Sequence, residues 1–268
     1  MRRPSAARLG LLAVVVVGFL FIYLPIGMLV VFSLADSSYV AFPISGFTTR
    51  WYAELLADRR ILEGVGNSLV VGLVTAALAT VAGTGAAFTL VRVRFPGKEL
   101  VRAVILMPLM IPGIMLGLSL LSVLVALHVR RDVLTIILGH STFTTSFVTM
   151  VVAASLHGVD PALEEAARDL YAGPVRAFFR VTLPLIAPGM LAGALFAFTL
   201  SFDEYVVAFL NSGTAATIPI VIMGMMKYGL SPKINALGAL IYAASFVLAL
   251  AATLLQFRGR KTPVQAGG

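Results

Sequence analysis

Six long apolar runs, separated by short polar segments, constrain the fold of this chain more than any other feature. Each run is close to the ~20 residues that an α-helix needs to cross a hydrocarbon layer of ~30 Å. We therefore predict a single all-α membrane domain over residues 1–268 with six transmembrane helices. The predicted helices cover residues 9–33, 66–91, 103–127, 134–157, 185–208 and 235–256.

The composition supports an integral membrane protein whose immediate surroundings are the lipid bilayer. Hydrophobic residues make up 59% of the 268 residues, charged residues only 12%, and the mean hydropathy is +0.99. The first apolar run continues to Phe32, which is too long for the core of a signal peptide, so we interpret it as a transmembrane helix. Cysteine is absent, which excludes disulfides and thiolate metal sites.

The distribution of charge predicts the orientation of the chain in the membrane. If both termini are cytoplasmic, thirteen lysines and arginines lie inside and seven lie outside. The acidic residues divide into five inside and seven outside, so the whole net charge of +8 belongs to the inner face. This asymmetry explains the high isoelectric point by membrane topology, and we predict no binding of nucleic acid.

A polar segment at residues 160–184 interrupts the apolar runs and has the pattern of two short helices. Asp160 is a suitable N-cap, Pro161 suits the first helical position, and acidic residues follow in the first turn. Two alanines lie in the middle of the apolar face, where they allow another backbone to approach closely. After a break at 172–174, Val175 and Phe178 begin a second short helix.

The same segment carries a resemblance to a known family. Glu165-Ala166-Ala167, followed eighteen residues later by Leu183-Pro184, resembles the EAA loop of type I ABC-importer permease subunits. Further similar segments extend over nearly the whole chain, and together they look most like C-type permeases of spermidine/putrescine importers. These segments are GFTTRWY at 46–52, NSLVVG at 67–72, MPLMIPGIMLGLSLL at 107–121, FTLSFDEYVVAFL at 198–210 and GLSPKINALGALI at 229–241.

The resemblance implies a non-catalytic subunit of a bacterial inner-membrane importer for polyamines or related cationic amines. It implies two copies of an ATP-binding subunit, a second permease chain of the B type and an extracytoplasmic substrate-binding protein. ATP and Mg²⁺ would bind to the ATPase, and this chain, which has no GxxxxGK[ST] loop, would bind no cofactor. The residues implied in coupling to the ATPase are Glu164, Glu165, Ala166, Ala167, Asp169, Gly173, Leu183 and Pro184.

Four positions of the coupling loop carry specific expectations. Tyr171 stands where the family has glycine, and we expect Gly173 to supply the positive-φ turn in its place. We also expect Leu183 and Pro184 to end the second short helix and to set the entry of the fifth transmembrane helix.

Two predicted outer segments, 34–65 and 211–234, carry weaker signals. Trp51, Leu55 and their neighbours form an amphipathic pattern that fits a helix at the outer interface. That helix either packs against the transmembrane helices or contacts a binding protein, and packing is the simpler account. The apolar run 218–228 is too short to cross the membrane and suits a re-entrant or interfacial helix.

Residues of a substrate path can be proposed from acids and prolines within apolar runs. Asp203 and Glu204, followed by Tyr205, are adjacent acids near the predicted outer end of the fifth helix. They either guide a cationic substrate or are simply solvated at the interface. Pro108 and Pro112 interrupt the third helix, as Pro25 does the first, and such breaks either line a path or are purely structural.

Two other classes of membrane protein fit the sequence less well. A self-sufficient secondary transporter would place ionisable residues at the membrane midplane, and the sequence shows none that is clearly central. A glutamate-dependent intramembrane protease is excluded because the spacing of Glu164, Glu165 and Arg168 does not match its motif. His128, His140 and His157 are far apart, and we interpret them as interfacial or helix-end residues rather than metal ligands.

Overall fold

The structure of the chain, a computed structural model, describes residues 6–37, 39–171, 173–229 and 231–259. Within these residues the regular secondary structure is helical, and an isolated bridge between Ala35 and Phe47 is the one β-type pairing. The all-α prediction is therefore confirmed.

Among the described residues, fewer than the six predicted helices meet the length and composition of a membrane span. By length and composition, four described helical segments can cross a bilayer, namely Gly10–Ser33, Arg59–Arg92, Val133–His157 and Pro174–Asp203. A fifth is possible if the bent pair Lys98–Leu109 and Gly113–Ala126 counts as one span. The predicted sixth span lies within a helix at Pro232–Gly259, whose side chains are described only as far as residue 247.

The chain divides into two compact units, one comprising residues 1–59 and 222–268. In this unit α1 (Ala6–Ser33) contacts the last helix, Pro232–Gly259, and α1 is continuous through Pro25, so the predicted interruption there is wrong. Helix α2 (Arg50–Ala57) packs on the last helix through its buried face, which contains Trp51 and Leu55. The indole N–H of Trp51 donates to the Ala35 carbonyl at 2.9 Å. The predicted packing of this amphipathic helix against other helices is therefore confirmed. Its contact with a binding protein stays a prediction.

The second unit, residues 60–221, is built around three long helices. These are α3 (Arg59–Arg92), α6 (Val133–His157) and α9 (Leu183–Asp203), with shorter helices between them. Small residues allow α3 to approach its neighbours closely: a Cβ placed on Gly83 would lie 2.8 Å from Val148 Cβ of α6. The core between these helices contains Ala79, Val148, Val152 and Ile186.

The predicted interruption of the third transmembrane helix is a sharp bend. Helix α4 (Lys98–Leu106) continues as a 3₁₀ turn at Met107–Leu109, and α5 (Gly113–Ala126) starts at an angle of 101° to it. Pro112 has extended backbone angles and cannot donate a helical hydrogen bond, so it ends one helix and precedes the next. The hydroxyl of Ser146 donates to the freed Ile105 carbonyl at 2.6 Å, which satisfies part of the broken backbone.

The 160–184 segment forms α7 (Pro161–Asp169) and α8 (Pro174–Ala177), as predicted. The prediction that the second short helix ends at Leu183 and Pro184 is wrong. Helix α8 runs through a π-helical turn at Phe178–Thr182 directly into α9. The amide of Leu183 donates to the Phe178 carbonyl, five residues back. Pro184 has no amide to donate and its ring crowds the carbonyl four residues back, and the wider π turn accommodates both effects.

Beyond α9 the chain breaks once more before the second unit ends. Glu204 is extended, and the short helix α10 (Val206–Asn211) follows it. Helix α11 (Ile218–Met226) is the short apolar helix expected at 218–228, and α12 (Pro232–Gly259) follows. The fifth predicted span therefore begins earlier than residue 185 and ends at Asp203 rather than at residue 208.

Candidate functional site

The first candidate site is the loop of α7 and α8, which an ion pair fixes to the end of α3. The Asp160 carboxylate caps α7 by accepting from the Ala162 amide at 2.9 Å. Glu164 is buried, and its Oε1 accepts from Arg92 Nε at 3.0 Å. Arg92 also donates through Nη2 to the Val159 carbonyl at 2.9 Å. Glu164 therefore positions the loop, and Arg92 is a residue that sequence reasoning missed.

The other predicted coupling residues lie mainly on the outer surface of the loop. Glu165, Ala166 and Asp169 are exposed, and Ala167 is half-buried. Gly173 and Pro184 are exposed, and Leu183 is half-buried at the start of α9. The loop thus has an inner face held by Glu164 and an outer face available to another molecule.

The turn between α7 and α8 differs from the expectation. Gly173 has φ −60° and ψ 158°, so it does not supply a positive-φ turn. Tyr171 itself adopts the left-handed conformation, with φ +60°. A side chain at this position crowds the backbone, which is why glycine usually occupies the position after a helix end. Tyr171 therefore adopts the backbone conformation that glycine usually supplies after a helix end.

An apolar cavity of about 350 Å³ lies on the inner side of the loop. Phe88 of α3 and Phe178 of the π turn meet there edge to face, with ring centroids 5.1 Å apart. Glu164 and Arg168 of α7 also line this cavity. The inner face of the loop thus rests on aromatic packing as well as on the ion pair.

The second candidate site is the break between α9 and α10, where Glu204 lies. Its carboxylate accepts hydrogen bonds from the amides of Val206, Val207 and Ala208 at 2.8–3.2 Å. These amides are at the start of α10, so Glu204 caps that helix and is held in a fixed position. The predicted acid is therefore rigid and only partly exposed.

His140 is a second ionisable residue at this break, and the interpretation of it as interfacial is wrong. It is fully buried in α6, and its Nδ1 lies 2.8 Å from Ser201 Oγ of α9. Its Nε2 lies 3.6 Å from Glu204 Oε2. A signal was present in the sequence, because His140 begins the hydroxyl-rich stretch HSTFTTS inside an apolar run, and ionisable residues in such runs are commonly functional.

Glu204 lines a cavity of about 320 Å³ between the bend of the third span and α9. Three phenylalanines line it, Phe143 and Phe147 of α6 and Phe196 of α9. Phe147 and Phe196 stack with ring centroids 4.6 Å apart. A carboxylate among aromatic rings provides an ionic partner and π faces for an organic cation.

The predicted path residues are only partly brought together. Pro108 and Glu204 both line this cavity, whereas Asp203, Tyr205 and Pro112 do not. Asp203 is exposed at the last residue of α9, and the Tyr205 ring stacks on Phe209. Asn211 is a further residue that sequence reasoning missed: its amide donates to the carbonyls of Gly117 and Val207, and so it fixes the end of α10 to α5.

These elements define a class of protein. A helical membrane domain with a broken span, a half-buried acid at a second helix break and a helix pair outside the spans is typical of a transport permease. Residues 69–261 match the family of binding-protein-dependent transport system inner membrane components, and the chain belongs to this family. It is accordingly a multi-pass inner-membrane protein.

Curated relatives are similar over nearly the whole chain. The putrescine transport system permease protein PotI of Escherichia coli (strain K12) is 40% identical over 262 residues, which cover 95% of this chain and 93% of the relative. The spermidine/putrescine transport system permease protein PotC of the same organism is 34% identical over 236 residues, which cover 88% and 89%.

Solved structures confirm the fold of type I ABC-importer permeases. A bacterial ABC transporter involved in the import of the acidic polysaccharide alginate has a chain that matches with a TM-score of 0.71 at 16% identity, covering 98% of this chain and all of that one. A bacterial alginate ABC transporter in complex with a pentasaccharide-bound periplasmic protein matches with a TM-score of 0.70 at 19% identity, covering 96% and 95%.

Proposed function

We propose that this chain is a permease subunit of an ATP-driven, binding-protein-dependent importer that carries polyamines such as putrescine or spermidine. Two copies of an ATP-binding subunit, a second permease chain of a different sequence and a substrate-binding protein complete the transporter. Both termini of the chain are cytoplasmic, in line with the excess of cations on that face. The family membership and the two polyamine permeases support this proposal.

Energy enters this subunit through the loop of α7 and α8. ATP and Mg²⁺ bind to the partner, and this chain binds no cofactor of its own. The exposed face of α7 around Glu165 and Ala166 docks into a groove on the surface of the ATP-binding subunit. Motion of that groove is transmitted in two directions, to α3 through the Arg92–Glu164 pair and to α9 through the continuous π turn.

The cavity at Glu204 is the structural feature that most supports a polyamine substrate. An alkylammonium group fits its chemistry because the carboxylate supplies charge, the phenylalanines supply π faces, and the methylene chain favours apolar walls. The size of about 320 Å³ falls within the usual range of small-molecule sites. The fixed position of Glu204 means that a bound cation would not first have to order its carboxylate.

Affinity purification tests the subunit assignment. The chain is tagged at its C-terminus, extracted gently from its native membranes and analysed for the proteins that accompany it. We expect an ATP-binding subunit with a GxxxxGK[ST] loop and a second permease chain. ATP hydrolysis by the complex should then rise with its binding protein loaded with putrescine or spermidine.

A matched control shows whether the absence of partner proteins reflects this chain or the extraction. A known importer of this class is extracted in the same detergent at the same time. If that importer stays intact while this chain emerges alone or only with copies of itself, the subunit assignment is wrong and a self-sufficient transporter becomes the better account.

A further inference from the structure

Tyr171 is conspicuous because its backbone is unfavourable and its side chain makes almost no contact. Its φ of +60° is a conformation that glycine adopts without steric cost and that tyrosine adopts at a cost in free energy. Its side chain is 96% exposed, the highest fraction among the large apolar and aromatic side chains that the structure describes. Nothing within the described part of the chain offsets the cost.

The neighbouring residue extends the same apolar surface. Leu170, the residue before Tyr171, is 82% exposed. Both residues are at the end of α7, on the same short loop as the exposed Glu165. An exposed leucine and tyrosine at the tip of a projecting loop form a small surface suited to burial in a partner.

We propose that Tyr171, with Leu170 beside it, is the anchor by which this permease recognises its own ATP-binding subunit. The inference rests on the proposed function, since it assigns a residue to the docking of that partner. The partner surface would be an apolar cleft with one polar group for the phenolic hydroxyl. Tyrosine suits this role because it buries a large area, immobilises only two side-chain torsions and keeps one polar contact.

The location of Tyr171 favours this occupant over lipid. The surrounding α7 surface is strongly polar, with Glu165, Arg168 and Asp169 all exposed. The anchor is also continuous with the face that we propose to dock into the ATPase groove.

Affinity measurements on three variants test the anchor. The ATP-binding subunit that accompanies the wild-type chain is purified and titrated against the complex of the two permease chains in lipid nanodiscs. We expect Tyr171→Gly to weaken its binding at least tenfold, because an anchor residue of an interface is lost. Tyr171→Phe should stay within about threefold of the wild type, since the ring is retained. Tyr228→Gly is the matched control at a tyrosine that is 95% exposed, and it should bind as the wild type does.

Thermal unfolding of the same variants separates recognition from folding. Glycine relieves the left-handed conformation at position 171, so Tyr171→Gly should unfold at a temperature no lower than the wild type. A variant that is at least as stable but binds its ATPase more weakly has lost a contact with the partner. If Tyr171→Gly binds as tightly as the wild type, the inference is overturned and the proposed function stands. If the wild-type complex binds no ATP-binding subunit, both are overturned.

A label in the absence of the ATPase tests the lipid alternative. The chain contains no cysteine, so Tyr171→Cys provides a single site for a fluorescent label. We expect brominated lipids in the nanodisc to leave this label unquenched. Strong quenching would place position 171 in contact with the bilayer and would overturn the inference.

Discussion

Arg92 Nε lies 3.0 Å from Glu164 Oε1, and this ion pair joins the last turn of α3 to the first helix of the loop. Both side chains are largely withdrawn from solvent, and Arg92 also holds the Val159 carbonyl that precedes α7. Removal of one partner would leave the other charge buried without its counterion, which is more costly than loss of an exposed pair. The pair therefore makes the loop a rigid extension of the membrane domain.

The first prediction concerns this connection. Arg92→Met should loosen α7 by about 2 kcal/mol, because Glu164 is left buried and unpaired. Hydrogen exchange measured by mass spectrometry should show faster exchange over residues 161–169, with membrane insertion unchanged. Arg94→Met, at an exposed arginine two residues away, is the control and should leave exchange as it is. Equal exchange in the two variants would contradict the role given to Arg92.

Helix packing in the core gives a second prediction with a control on the same helix. A Cβ at Gly83 would meet Val148 Cβ at 2.8 Å and the Thr149 amide nitrogen at 3.0 Å, whereas a Cβ at Gly85 would meet nothing within 4 Å. Gly83→Ala should therefore destabilise the membrane domain by about 1–3 kcal/mol. Gly85→Ala should be neutral or stabilising by up to about 1 kcal/mol. Thermal unfolding in detergent compares them, and a Gly83→Ala variant as stable as the wild type would show that α3 and α6 are not packed this closely.

The third prediction separates two adjacent acids. Glu204→Gln should lower the kcat/KM for putrescine uptake at least tenfold, because the charge at the phenylalanine cavity is lost while the cap of α10 can still be made in part. Asp203→Asn should change uptake less than twofold, because Asp203 is exposed and does not line that cavity. Uptake that is unchanged in the Asp203→Asn, Glu204→Gln double variant would rule out any guidance of the substrate by this pair.

A fourth prediction concerns the π turn. Pro184→Ala restores a backbone amide and permits a regular α-helix through residues 178–182. A π turn contains one residue more than an α-helical turn. Its conversion to a regular α-helix would therefore rotate α7 and α8 about the axis of α9 by about 100°. Uptake should fall several-fold although the protein still inserts into the membrane, because the docking face of α7 would be turned away from the ATP-binding subunit. Pro188→Ala, at a proline in the interior of α9, is the control and should retain more activity. If both variants transport normally, the π turn has no role in coupling.

The sequence predicted the large elements because their signals are local. Run lengths identified the four long spans, and Asp160 with Pro161 identified the start of α7, since each depends only on neighbouring residues. The breaks at Pro112 and after Asp203 were harder to predict. A proline shows that a helix can break but not by what angle, and the 101° bend also depends on Ser146 from another helix.

Long-range pairs account for what the sequence did not predict at the candidate sites. The partners of Glu164 and Glu204 are 72 and 64 residues away along the chain, at Arg92 and His140, and no local pattern joins them. At Tyr171 the local preference is clear, because a residue with positive φ after a helix end is usually glycine. The chain nevertheless has tyrosine there. A departure of that kind is expected where function opposes local preference.

The most direct test of the account is ATP-driven uptake by the purified complex with one charge reversed. The two permease chains and the ATP-binding subunit are reconstituted in vesicles, and uptake of labelled putrescine from its binding protein is measured for the wild type and for Glu165→Arg. Glu165 is exposed on the proposed docking face, so its reversal should leave folding and insertion intact. The account predicts ATP-dependent uptake by the wild type and its loss in the variant, with any remaining ATP hydrolysis no longer coupled to transport. Normal uptake by Glu165→Arg, or uptake by this chain without an ATPase, would contradict it.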